Sequence, residues 1–152
     1  MSGRSPIAPL LIAASALLFL SSAPAKGRAQ AAATDSTVAR ERKAFAKLKL
    51  AMLLDDRAAV AAMGIYPLVV IKGVSGRVSV PSAARLVQWY DLVITKRVRG
   101  AVTKQNTDSL RLIGQGLGTR GGELVIGTRC DNGQKNCAVG IVAINLFSVS
   151  PR

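Results

Sequence analysis

The side chains that could do acid–base chemistry in this sequence are few, and no histidine is among them. The absence of histidine excludes Ser-His-Asp and Cys-His catalysis, histidine zinc sites and histidine pH switches. The remaining candidates for an acid, a base or an oxyanion donor are Tyr66, Trp89, Tyr90, Asp91, Asp108 and Glu123. A small-molecule isomerase or dehydratase would use Glu123 or Asp91 as the base and Tyr66 or Tyr90 as the oxyanion donor.

All of these candidates also have a structural interpretation, which for Asp108 is a cap-like turn at Asn106 to Ser109. Asp91 falls on the outward face of an amphipathic segment, and Tyr66 stands directly before a proline. Trp89 and Tyr90 are, with Tyr66, the aromatic candidates for ligand contact. Aromatic residues with this spacing belong more often to a core than to a binding site.

Glu123 is the best-placed carboxylate, because its strand is expected to face the concave side of a sheet. Catalysis would require it to lie in an apolar cleft with a hydrogen-bond donor opposite. Arg111 or Arg120 could instead simply pair with it. No catalytic residue is therefore assigned, and the sequence favours a protein without enzymatic activity.

A glycine-rich segment matches the dinucleotide pattern G-x-G-x-x-G at Gly116 to Gly121. In a dinucleotide site this pattern opens a helix, whose N-terminus binds the pyrophosphate. Here the alternating residues Glu123 to Cys130 predict a strand instead. We expect a bulged strand and a hairpin turn at the glycines, and no cofactor.

The N-terminal residues 1–25 have the three-part pattern of an export signal. Arg4 is the one charge, an apolar run covers residues 7–20, and cleavage is expected after Ala25 or, at a second site, after Ala31. The apolar run has 14 residues, against the ~20 that a membrane-spanning helix needs. We therefore predict an exported protein, either periplasmic or secreted.

The two cysteines flank a hairpin signal. Cys130 and Cys137 enclose six residues that include Asn132-Gly133, a pair typical of a tight two-residue turn. In an exported chain this arrangement favours a disulfide, whereas a redox pair has two intervening residues. Two cysteines without histidine cannot form a structural zinc site, so no metal is expected.

The chain is strongly basic, with 21 Lys and Arg against 8 Asp and Glu. Removal of residues 1–25 deletes Arg4 alone and leaves a net charge of +12. Such a charge attracts polyanions, which outside the cytoplasm are anionic lipids, lipopolysaccharide or cell-wall polymers. The second of two basic clusters is the expected binding patch. The first consists of Arg40, Arg42, Lys43, Lys47 and Lys49, and the second of Lys96, Arg97, Arg99 and Lys104.

Neither basic cluster contains aromatic residues. A single-stranded nucleic acid would need such residues as stacking platforms, so nucleic acid is not an expected partner. A merely solvated basic face is the alternative to a binding patch.

Periodicity predicts helices before strands. Residues 26–36 form a flexible leader, and one domain covers residues 37–147, followed by a tail at 148–152. Helices are expected at 37–54, at 57–63, after a cap at Ser82, and from Thr95 to about Gln105, and a β-hairpin at 66–80. Strands follow at 110–112, 123–130 and 138–146, the last one central. The order predicts an α+β fold with helices on one face of a curved antiparallel sheet.

The last strand also predicts a partner. Residues 138–146 are apolar on both faces of the strand, so neither face can be wet. A two-fold homodimer would cover the face that the helices leave open, although the long N-terminal helix could cover it instead.

Several short motifs resemble those of a family of exported bacterial proteins of unknown function. That family has a cone-shaped, nuclear transport factor two-like fold, also called cystatin-like. The matching motifs are Asp56 to Met63, Tyr66 to Val70, Trp89-Tyr90-Asp91 and the helix Lys96 to Val102, within residues 42 to 146. The sequence departs from the family at Glu123 to Gly127, where an aromatic-rich strand is usual. The resemblance implies a conical pocket and a non-enzymatic binding module, while ketosteroid isomerase and scytalone dehydratase share only the architecture.

Overall fold

The computed structural model describes residues 26–74, 76–132 and 135–147, with side chains from Asp35 onward. The expected export signal at 1–25, the tail at 148–152 and the turn residue Gly133 lie outside the described residues. The cleavage sites are therefore still predictions.

Helices precede most of the strands, as the sequence predicts. The helices are α1 (Lys26–Leu53), α2 (Arg57–Ala62), α3 (Ala83–Gln88), α4 (Tyr90–Val93) and α5 (Lys96–Lys104), with a 3₁₀ turn at Thr107–Ser109. The strands are β1 (Gly64–Lys72), β2 (Gly76–Val80), β3 (Arg111–Ile113), β4 (Gly116–Gly118), β5 (Leu124–Cys130) and β6 (Cys137–Asn145). Within the described ranges, no helix combines the length and the apolar character needed to cross a membrane.

Helix α1 is longer than predicted. It starts at Lys26 and so includes the segment for which the sequence predicted an irregular leader. Alanine, which is frequent in that segment, has the highest intrinsic helix propensity and needs no amphipathic pattern to extend a helix. The buried stripe of α1 faces the sheet and includes Phe45, Leu48 and Met52.

Local capping explains where three short helices begin. The side chains of Asp56, Ser82 and Thr95 accept hydrogen bonds from the backbone N–H groups three residues on, at the starts of α2, α3 and α5. The helix predicted after Ser82 is divided, because the backbone leaves the helical region at Trp89. The division keeps Leu86 and Tyr90 buried and leaves Trp89 half-exposed.

The six strands form one sheet in the order β2-β1-β6-β5-β4-β3. The α+β class is confirmed, and β6 is central as predicted. The prediction of an antiparallel sheet is wrong at one pairing, because β1 runs parallel to β6. A parallel neighbour requires a long crossover, which here contains α3, α4, α5 and the strands β2 to β5. The last third also has four strands rather than three, since Gly116–Gly118 pairs with both β3 and β5.

A β-bulge changes which side chains of β6 face the core. The pairing between β5 and β6 shifts register at Val125 and Ile126, and both Ile141 and Ile144 are fully buried. The strict alternation expected for residues 138–146 would put these two isoleucines on opposite faces. It does not hold here, because the bulge inserts an extra residue between them. Val142 packs over Gly127 on the other face. The homodimer therefore stays a prediction that concerns a smaller apolar face.

Candidate functional site

Helix α5 and the turn between β4 and β5 enclose a cleft of about 480 Å³, which we call the α5 cleft. Its charged lining consists of the cations Lys96, Arg97, Lys104 and Arg120 and the carboxylate Glu123. Three of the four cations belong to the predicted basic patch. The fourth, Arg120, comes from a different element and was not part of that prediction.

Helical geometry selects which members of the patch reach the cleft. Lys96, Gly100 and Lys104 are four residues apart, so they line one face of α5. Arg99 points to another side, where its guanidinium pairs with Asp55. Arg99 does not line the α5 cleft. It lines a neighbouring pocket, which it shares with Lys96 but not with Arg97 or Lys104.

The opposite wall is a tight turn fixed by hydrogen bonds. Gly122 has a φ of 74° and donates its N–H to Thr119 O at 2.9 Å. The left-handed backbone there favours glycine, which explains part of the glycine run in the sequence. Arg120 N donates to Gln105 Oε1 at 3.2 Å and ties the turn to the end of α5. The two walls of the cleft are thus connected directly.

Glu123 is the one carboxylate lining the cleft, and its side chain is only 12% exposed. Thr119 Oγ1 donates to Glu123 Oε2 at 2.7 Å, and Arg97 Nη2 lies 3.8 Å from Oε1. Arg97 is therefore its partner in place of the predicted Arg111 or Arg120. The carboxylate of Glu123 thus neutralises the charge of Arg97, and Arg97 and Thr119 together fix its position.

Three cations remain without an acidic partner in the described part of the chain: Lys96, Lys104 and Arg120. All three are exposed and line the same cleft. These three like charges outnumber the single carboxylate in the cleft, Glu123, which already pairs with Arg97. They repel one another, and an anion between them relieves that repulsion. The arrangement is therefore suited to binding an anionic group.

The predicted aromatic ligand contacts lie apart from this cleft. The Tyr66 hydroxyl donates to Ala61 O at 2.6 Å, and burial raises the pKa of Tyr66. Tyr90 is buried in the core, where burial also raises its pKa, and its ring lies 4.8 Å from the Arg57 guanidinium carbon. Trp89 lines a separate apolar pocket.

The remaining carboxylate candidates are exposed. Asp91 accepts two hydrogen bonds from Arg57 at 2.9 and 3.1 Å, and Asp108 lies 3.8 Å from Arg42. Neither the α5 cleft nor the pockets lined by Trp89, by Arg99 and by Lys43 combine a carboxylate with a tyrosine among the candidates. The geometry gives no support to the isomerase or dehydratase hypothesis.

Glu41 is a buried carboxyl group that the sequence analysis missed. It is 2% exposed, and Thr128 Oγ1 donates to its Oε1 at 3.0 Å. Burial raises the pKa of Glu41, while the hydrogen bond from Thr128 and the charge of Arg40 oppose that rise. The helical spacing of the apolar residues could have indicated this burial, because Glu41 occupies a core position between Val38 and Phe45 on the α1 stripe.

This burial predicts a pH dependence of stability. Because the pKa of Glu41 is higher in the folded chain, the folded state binds more protons at pH values between the ordinary and the raised pKa. The contribution of Glu41 to stability is therefore largest at low pH and is lost as the pH rises through that window. We expect Glu41→Gln to remove this loss and to raise the unfolding free energy at neutral pH by about 1 kcal/mol or more.

Urea unfolding from pH 4 to 8 measures the effect, roughly spanning the range above the ordinary carboxyl pKa. Asp108→Asn is the matched control, since it also neutralises one carboxylate but at an exposed position. Equal pH profiles for Glu41→Gln and the parent chain would contradict the assignment.

The predicted disulfide is confirmed. Cys130 and Cys137 are directly opposite on β5 and β6 and are bonded. Both residues are exposed, at the end of the sheet away from Leu124.

The glycine-rich segment forms β4 and the turn before β5, and β5 is a strand, so the helix that a dinucleotide site needs does not follow it. Elsewhere in the described ranges, no group of three or more His, Cys, Asp or Glu residues could hold a metal ion.

The chain was compared with known proteins at three levels. No protein-family model, no curated protein and no solved structure matches it.

Proposed function

We propose that the chain is an exported, non-enzymatic binding module that holds an anionic group of an envelope component in the α5 cleft. The observation that carries this proposal is the convergence of Lys96, Lys104 and Arg120 from two elements without an acidic partner. The net charge of the chain adds a long-range attraction for polyanions. Export, which supplies the envelope as the setting, rests on the N-terminal sequence pattern.

A glycine in α5, Gly100, leaves room for a ligand in the cleft. Gly100 lies in the middle of α5, and a Cβ placed there would meet nothing within 4 Å. Glycine costs a helix about 1 kcal/mol relative to alanine, so this position sacrifices stability without a packing reason. The missing side chain leaves the space between Lys96 and Lys104 open. Gly121 on the opposite wall differs, because a Cβ there would collide with the Glu123 carboxylate.

Binding of inorganic pyrophosphate tests the cleft directly. We expect the triple variant Lys96→Gln, Lys104→Gln and Arg120→Gln to weaken pyrophosphate binding about tenfold, because three unpaired cations lose their charge. Calorimetric titration measures the dissociation constant. Binding should also weaken between low and physiological salt, since exposed charges are screened beyond about 8 Å at 0.15 M.

The matched control removes the same number of charges elsewhere. Arg40, Lys43 and Lys47 line a second groove on α1 and also lack an acidic partner in the described ranges. Their replacement by glutamine lowers the net charge equally, so it should change affinity much less than the cleft variant. Equal losses in the two variants, or binding that is independent of salt, would show that the cleft is not the site.

A further inference from the structure

The two central strands β1 and β6 end on the same side of the sheet because they are parallel. Leu146 N donates to Ile71 O at 2.9 Å, and the Phe147 ring lies against Gly73 in the turn that follows β1. Arg97 Nη1 donates to Leu146 O at 3.5 Å. Arg97, which lines the α5 cleft, therefore also contacts the segment after β6 that lies beside the turn of the β1–β2 hairpin.

This side of the molecule, which we call the hairpin end, carries large apolar side chains that are exposed to solvent. Val74 in the hairpin turn is 99% exposed, Leu92 on α4 is 68% exposed and Phe147 after β6 is 52% exposed. Apolar side chains scattered over a surface are ordinary, but three on one end next to a cationic cleft indicate a contact surface.

An apolar pocket of about 220 Å³ joins the hairpin to α4 at this end. Its interior is formed by Val70, Val80 and Val93, which are buried. Lys72 and Leu92 are its exposed members, and no carboxylate lines it. The apolar interior of this pocket suits an alkyl group, and Lys72 at its opening suits an anionic group attached to that alkyl group.

Cations surround the apolar side chains. Lys72 and Arg77 flank the hairpin turn, and Arg85 stacks on Trp89, with 5.0 Å between its guanidinium carbon and the ring centroid. Within the described ranges, none of these three cations forms an ion pair. Protruding apolar residues ringed by Lys, Arg and Trp match the boundary between acyl chains and anionic headgroups.

We propose that the hairpin end docks on the surface of an anionic lipid bilayer. Val74, Leu92 and Phe147 enter the outer acyl region, and Lys72 and the cations of the α5 cleft meet the headgroup phosphates. The headgroup contact rests on the proposed function, whereas the apolar contact is independent of it. A bilayer fits better than a folded protein partner, because Val74 protrudes at a turn instead of lining a groove.

The sequence contains one tryptophan, which lies at the hairpin end and can report on the contact. The chain from Lys26 onward, without the predicted export signal, is mixed with phosphatidylcholine vesicles and with equimolar phosphatidylcholine–phosphatidylglycerol vesicles. We expect binding to the anionic vesicles only. Lipids brominated in the acyl chain should quench Trp89 when the chain binds. Binding without quenching would overturn the apolar contact.

The variant Val74→Ser, Leu92→Ser and Phe147→Ser removes the apolar anchors from exposed positions, so the fold should be unaffected. It should reduce vesicle binding about tenfold or more, because the buried apolar area is lost. Leu112→Ser is the matched control, since Leu112 is 73% exposed on β3 at the opposite edge of the sheet. An equal effect of the control, or no effect of the triple variant, would overturn the proposal.

Pyrophosphate binding separates this proposal from the preceding one. If the chain binds pyrophosphate in the α5 cleft but no anionic vesicle, the docking proposal fails and the proposed function stands. If vesicles bind through the apolar anchors while the cleft variant keeps full pyrophosphate affinity, the docking proposal is supported and the assignment of the cleft fails.

Discussion

Phe45→Ala is expected to lower the free energy of unfolding by about 3–5 kcal/mol. Phe45 is fully buried and belongs to the stripe of α1 that packs against the sheet. Aromatic residues are scarce in this chain, so few other side chains bury a comparable area. Truncation leaves a cavity between α1 and the sheet. The hydrogen-bonded backbone of the sheet prevents the sheet from moving in to fill that cavity.

The same substitution at a second phenylalanine provides the control. Phe147 is 52% exposed, and Phe147→Ala should change stability by no more than about 0.5 kcal/mol. Urea unfolding of the two variants measures the difference. Similar midpoints for both would mean that α1 does not form the core packing described above.

Replacement of both cysteines by serine is expected to cost about 2.5 kcal/mol. The bond between Cys130 and Cys137 closes a short loop, and on the chain-entropy model a loop of about 8 residues contributes roughly this amount. The cost appears mainly through the unfolded state, which gains freedom when the bond is absent. Binding in the α5 cleft should be unchanged, because neither cysteine lines it.

Thermal unfolding with and without a reducing agent measures the effect of the disulfide. The reduced parent chain should match the Cys130→Ser, Cys137→Ser variant, and the variant itself should not respond to reductant. A parent chain whose midpoint is insensitive to full reduction would contradict the prediction.

Features decided by neighbouring residues were predictable from the sequence. The starts of α2, α3 and α5 were predictable, because their caps at Asp56, Ser82 and Thr95 each need only a side-chain oxygen and a backbone N–H three residues on. The disulfide followed from a turn signal between Cys130 and Cys137 for the same reason. These predictions require no knowledge of distant contacts.

Features decided by distant segments were not predictable. The parallel pairing of β1 with β6 leaves no trace in the alternation of either strand, because both patterns suit either direction. The burial of Glu41 was not predictable from its immediate neighbours, because Arg40, Arg42 and Lys43 around it are typical of an exposed helix face. The cations that line the α5 cleft were predictable only in part. Arg120 is brought there from a distant turn, and Arg99 lies on another face of α5.

The central strand pair also determines the order in which the chain can fold. The β1–β2 hairpin and the meander of β3 to β6 form from neighbouring segments. In contrast, Val69 of β1 pairs with Ala143 of β6, and the strands β2 to β5 lie between them in sequence. A contact between residues far apart in sequence requires a long loop to close, and this costs conformational entropy before the contact stabilises the chain. Such contacts therefore slow folding. We therefore expect the two halves of the sheet to join last, because β1 cannot pair with β6 until the chain has been synthesised through Asn145.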